Sequence, residues 1–185
     1  MKGPSRRRAA LAALAALTLV LSACDRATPA VVAPQPAVDA DVYGGFPIDP
    51  PGPDEVVLTL VGDRTVELTM GDLGALGGVD VTFVEPFVKV TQTFRVVPLA
   101  ELFGLVGITT DDTVDTIALN DYRFRDGAGA LLAADALLAF ARDGAAIPMD
   151  AGGPIRLVFE PSSDYHGFLD AWNWSLRTIR VVAEP

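Results

Sequence analysis

The residues best suited to holding a ligand are Gly152, Gly153 and Arg156, in the run Gly152-Gly153-Pro154-Ile155-Arg156. Paired glycines put no Cβ between the backbone and a close neighbour or ligand. A guanidinium beside such a loop can fork onto a phosphate or carboxylate. The simpler reading of the same residues is a tight helix-to-strand connection whose arginine pairs with a surface acid. Trp172 and Trp174 flank Asn173. Alternate positions on an extended segment put both rings on one face, where they either stack on a ligand or partner, or pack in the core.

Ser162, Ser163, Asp164 and His166 stand within five residues, and His166 is the only histidine. A hydrolase triad is assembled from separate segments, whereas neighbours on one loop point in different directions. No Gly-Xaa-Ser-Xaa-Gly elbow is present. One imidazole and no thiol within the domain argue against a zinc or iron site. Asp111, Asp112, Asp121 and Asp126 lack the loop spacing of a calcium site and read as solvated acidic loops.

The elements that position these residues follow from pattern. Glu55–Val61 and Thr65–Thr69 are β-branched runs around Gly62-Asp63, a hairpin. Asp72–Leu76 is a short helical turn, with Thr69 and Asp72 spaced as a capping box. Phe87–Val97 alternates, placing Val88, Val90, Phe94 and Val96 on one face of a strand. Pro98 opens a helix with Leu99, Leu102, Phe103 and Val106 on its buried stripe, and Gly107 stops it. Val114–Leu119 is a further strand. Ala134–Arg142 reads as a second helix, with Leu137, Phe140 and Ala141 buried and Gly144 at its end. A strand follows in which Ile155, Leu157 and Phe159 face the core and Arg156 faces the other way. Leu176–Val182 is the last strand. This irregular interleaving defines an α+β class with a largely mixed or antiparallel sheet.

The chain has 185 residues and one cysteine, Cys24. Lys2, Arg6, Arg7 and Arg8 precede an apolar run, Ala9–Val20, that ends in Leu21-Ser22-Ala23-Cys24. That tetrapeptide resembles a bacterial lipobox, so residues 1–23 are expected to be a lipoprotein signal peptide and Cys24 the lipidation site. Residues 24–53 are a Pro-rich tether, whose Tyr43, Phe46 and Ile48 are expected to reach the domain, residues 54–185. Without the four leader cations, ten Lys and Arg face 24 Asp and Glu, a net charge of about −14. Nucleic acid and anionic lipid surfaces repel such a domain. The lipid, rather than the protein surface, holds it at the extracytoplasmic side of the bacterial cell membrane.

The order of pieces from about Val56 to Val182 resembles the molybdopterin-binding domain of the sulfite oxidase family. The pieces are Val97-Pro98-Leu99, Asn120-Asp121-Tyr122, Asp143-Gly144, Gly152-Gly153-Pro154-Ile155-Arg156, and Trp174 with Ile179. The resemblance implies a sulfite-oxidase-like fold with a mixed or antiparallel sheet and a few helices. It implies ligand-binding candidates at Asn120, Tyr122, Gly152, Gly153, Arg156, Trp172 and Trp174, and molybdopterin as the family's cofactor. Catalytic members of that family hold molybdenum through a cysteine thiolate, and here the only cysteine precedes the domain. The family's histidine falls at Ala151 or Gly152, and its basic residue before the closing tryptophan at Asn173. The expectation is therefore a cell-envelope lipoprotein with a degenerate domain, binding a small anionic ligand near Arg156 or an envelope protein partner, with no cofactor and no redox chemistry. The alternative is an extracytoplasmic molybdopterin-dependent oxidoreductase whose metal lacks the protein thiolate.

Overall fold

The computed structural model describes residues 50–183. The leader, Cys24 and the tether with Tyr43, Phe46 and Ile48 lie outside these residues. Within them the fold is α+β, with two sheets and three short helices.

The first strands are the expected hairpin, β1 (Val56–Val61) and β2 (Thr65–Thr69), paired antiparallel. Helix α1 (Met70–Ala75) starts at a reciprocal cap. Thr69 Oγ1 accepts from Asp72 N at 3.0 Å, and Asp72 Oδ2 accepts from Thr69 N at 2.9 Å. Those bonds, the backbone one first, hold the Asp72 carboxyl below its usual range. Strand β3 (Val79–Val84) follows, an element not among those expected from the sequence, and pairs antiparallel with β4 (Thr91–Pro98). Of the alternating stretch expected over Phe87–Val97, only the part from Thr91 is strand. Phe94 and Val96 are buried as expected, but Val88 and Val90 are about half exposed in the connecting turn.

Helix α2 (Leu99–Val106) buries Leu99, Leu102, Phe103 and Val106, and stops at Gly107 in the left-handed conformation (φ 76°). Strand β5 (Thr113–Ala118) turns at Asn120-Asp121 into β6 (Arg123–Gly127), which leads to helix α3 (Ala128–Ala133). The helix expected over Ala134–Arg142 is a strand, β7 (Leu137–Arg142). Its first four residues are all buried, because β4 and β8 flank it and both its faces are covered. A strand covered on both faces loses the two-residue alternation that marks a strand in sequence. Leu137, Phe140 and Ala141 then mimic a helical stripe. The last strands are β8 (Arg156–Val158) and β9 (Leu176–Val181).

One sheet runs β2-β1-β9-β5-β6, parallel only between β1 and β9, and the other runs β3-β4-β7-β8, antiparallel throughout. A single buried cluster joins them, including Leu58 and Leu60 of β1, Phe94 and Val96 of β4, the α2 stripe, Leu138, Leu157, Trp172 and Ile179. Burying each such side chain contributes roughly 1.5–3 kcal/mol. Among the described residues no helix is long and apolar enough to cross a membrane.

Candidate functional site

Arg156 opens β8 and is 1% exposed. It does not reach a surface acid. Its Nη2 donates to Glu85 Oε1 at 2.8 Å, and Glu85 is as deeply buried. Its Nη1 donates to the Ala151 carbonyl at 3.2 Å. Four rings surround the guanidinium carbon, with centroids at 4.3 Å (Trp174), 5.4 Å (Trp172), 5.8 Å (Phe87) and 5.8 Å (Phe94). Burial pushes the Arg156 pKa down to about 10 against the opposing pull of Glu85, a value at which the group stays charged at neutral pH. The expectation that Arg156 turns away from the core holds only for strand alternation. The β3–β4 turn and the tryptophans cover that face too.

Glu85 is the residue that sequence reasoning missed, and it organises the turn. Its Oε2 accepts from Phe87 N and Val88 N, both at 2.8 Å. Its own N–H donates to the Val90 carbonyl, and its carbonyl accepts from Lys89 N. These bonds close residues 85–90 into a turn, which is why Val88 and Val90 leave the strand. They also fix Phe87 against Trp174, with ring centroids 4.8 Å apart and planes at 57°.

The paired glycines serve packing within the chain. Gly152 has φ 84°, and a Cβ there would stand 2.7 Å from Cγ and Cδ2 of Trp174. At Gly153 a Cβ would collide with the Ile147 carbonyl. The close neighbours allowed by the missing Cβ atoms are Trp174 and the preceding loop. Trp172 is fully buried among Phe83, Phe87, Phe159 and His166, and its Nε1 donates to the Tyr165 carbonyl at 3.3 Å. The two tryptophans therefore part: Trp172 belongs to the core, and Trp174 reaches a cleft.

That cleft has a volume of about 240 Å³ and is lined by Phe87, Asn120, Tyr122, Leu169, Asp170, Asn173 and Trp174. It brings together three of the candidates named from sequence, Asn120, Tyr122 and Trp174. The β5–β6 turn supplies the first two. Asn120 Oδ1 accepts from Tyr122 N at 3.0 Å, and Tyr122 Oη donates to the Asp170 carbonyl at 3.0 Å. Desolvation, then the Asp170 charge, raises the Tyr122 pKa, so its phenol stays neutral. Asn173, 2% exposed, donates through Nδ2 to Thr116 Oγ1 at 2.8 Å. Its Oδ1 has no partner among the described residues, nor has Trp174 Nε1. Buried polar atoms of this kind call for a partner. Flanking by two tryptophans, and the place of a basic residue in the resemblance, were the sequence signals for Asn173. Phe87, Leu169 and Asp170 had none.

The remaining candidates are occupied elsewhere. Ser163 Oγ donates to the Ala134 carbonyl at 2.7 Å, and His166 Nδ1 donates to the Phe159 carbonyl at 2.8 Å. The two side chains are not paired with each other. Among the described residues no cluster of three His, Cys, Asp or Glu is placed to hold a metal. Asp115 is buried and bound by Arg125 at 2.7 Å, Arg180 at 3.2 Å and Arg123 at 3.5 Å, and none of these four residues lines the cleft. No protein-family model matches the chain, and no curated protein matches it.

Proposed function

We propose that this chain is a lipid-anchored, extracytoplasmic binding domain on a sulfite-oxidase-like scaffold that works without redox chemistry. The observation that carries the reading is the convergence of Asn120, Tyr122 and Trp174 with Asp170 and Asn173 on one cleft. Two lining residues there, Asn173 and Trp174, have buried polar atoms without partners. The small volume suits a compact ligand, or one side chain presented by an envelope protein partner, since pockets for drug-sized molecules run to roughly 300–1,000 Å³.

The donor set weighs against a molybdopterin. The only cysteine of the chain precedes the domain, so no thiolate of the domain is available to molybdenum. Arg156, the residue matching a phosphate anchor in the resemblance, is enclosed by four rings and bound to Glu85. An anion reaching it would have to displace a buried carboxylate. Anion capture at Arg156 is accordingly not part of this reading. The anchor rests on Leu21-Ser22-Ala23-Cys24. Mass spectrometry of the mature N-terminus should find Cys24 acylated, and an unmodified cysteine there would remove the anchor.

The binding reading is tested by titrating the ¹⁵N-labelled protein, in non-ionic detergent, with choline, glucose and phosphate in turn. At least one solute should shift the indole N–H signal of Trp174 saturably, and Tyr122→Ala should abolish the shift. If no solute does so, the cleft is not a ligand site.

A further inference from the structure

We propose that three loop tips of the domain form a docking face for the phospholipid bilayer that carries the Cys24 anchor. The proposal rests on the anchor reading above and adds the face that the domain turns to the membrane. Six of the nine large apolar side chains left exposed are Phe87, Val88, Val90, Tyr122, Phe168 and Leu169. They come from the β3–β4, β5–β6 and β8–β9 connections. Phe87, Tyr122 and Leu169 line one cleft, so the three tips are neighbours. Val88 and Val90 share the turn of Phe87, and Phe168 packs on Phe124 with ring centroids 5.7 Å apart. The six are 37% to 56% exposed. A contiguous apolar patch marks a contact with a protein or a membrane.

Charge and reach select the bilayer. The turn over residues 85–90 holds one acid and one base. Glu85 is buried against Arg156, whereas Lys89 is exposed and makes no ion pair among the described residues. The tip thus shows solvent an apolar surface and a single ammonium, in a mature chain with a net charge of about −14. An ammonium on a long stem meets lipid phosphate while its apolar neighbours enter the hydrocarbon boundary. Of the acids beside the patch, Asp121 is paired with Arg177, and Asp170 lines the cleft. A second copy is the poorer occupant, because two chains of that charge repel. Residues 24–49 separate Cys24 from the described chain. Fully extended they span at most about 90 Å, against a radius of gyration of about 14 Å for a domain of this size. That length lets any face meet the bilayer, and the patch selects one. Tethering also keeps the bilayer at high local concentration, so a shallow contact suffices.

The test uses the lipidated mature chain in phosphatidylcholine vesicles. With the Cys24 thiol acylated, Val88→Cys, Leu169→Cys or Glu67→Cys each supplies the one thiol for an environment-sensitive dye. Glu67 is an exposed residue of β2, at the opposite edge of its sheet from β6. Spin-labelled phosphatidylcholine should quench the dye at Val88 and Leu169 about threefold or more beyond that at Glu67. Val88→Asp combined with Val90→Asp should bring quenching at Leu169 down to the Glu67 level, with the chain still on the vesicles. Both valines are more than half exposed, so the change spares the core. Equal quenching at the three sites, or quenching at Leu169 that survives the aspartates, would overturn the docking face and leave the anchor standing. A dye at Val88 that is blue-shifted yet unquenched would put a protein, a second copy included, on the patch and overturn the bilayer as its occupant. A chain that does not float with the vesicles would overturn the anchor and the docking face together.

Discussion

Arg156 and Asp115 are both buried ends of ion pairs, yet they act differently. Arg156 faces one carboxylate inside a shell of rings, and its partner Glu85 lies 71 residues earlier in the chain. A pair at that separation leaves no local spacing to read, so the arginine was legible as a special residue and its partner was not. Asp115 gathers three arginines whose own side chains are about half exposed. The hydrogen bond from Arg125 is the main cause that lowers its carboxyl below the usual 3.8. A carboxyl lowered on folding binds more protons unfolded than folded between the two pKa values. Its contribution is complete above about pH 3.8 and is lost as pH falls through the folded value. Urea unfolding at pH 6 and pH 3 should thus show Asp115→Asn destabilised by about 2–3 kcal/mol at the higher pH. The difference between variant and parent should narrow at pH 3. A gap that stays constant across the range would mean that the charge of Asp115 contributes nothing. Asp72 and Asp112 are lowered as well, chiefly by backbone bonds from Thr69 and Thr109, so the parent's acid sensitivity has the same sign at three places.

Most of the elements legible in the sequence have one wet face, although β5, buried along five of its six residues, was legible too. The β1–β2 hairpin, α1 with its Thr69–Asp72 cap, α2 and β9 all carry the pattern of a half-buried element, and each lies where the residues put it. β7 was not legible, because its buried run Leu137–Phe140 alternates nothing. β3 was missed although Val79, Val81 and Phe83 alternate with Asp80 and Thr82, the two-residue period of a strand, and only Phe83 of that face is buried. Of the candidate site, the β5–β6 turn and Trp174 were in view. Phe87 and Asp170 were not, since long-range packing brings them to the cleft. Helix α2 gives the sharpest check at this scale. Leu102 is fully buried and Glu101 is exposed. Leu102→Ala should cost about 2–5 kcal/mol, and Glu101→Ala no more than about 0.5 kcal/mol. Equal losses in denaturant titrations would mean that the helix presents a different face to the core.

At the scale of the whole domain, the cleft is held from behind by the arginine. Arg156 binds Glu85, Glu85 closes the turn that carries Phe87, and Phe87 lies against Trp174. Charge is thus divided between a scaffold pair that solvent does not reach and one exposed carboxylate, Asp170, at the opening. Removing one partner of a buried pair costs about 3–5 kcal/mol, because the other charge is left uncompensated. Removing an exposed carboxylate costs little stability. The most direct measurement is therefore melting temperature side by side for Arg156→Met and Asp170→Asn. The account predicts that Arg156→Met melts well below the parent. It predicts that Asp170→Asn melts like the parent. The reverse pattern, with an unchanged melting temperature for Arg156→Met and a large loss for Asp170→Asn, would contradict it.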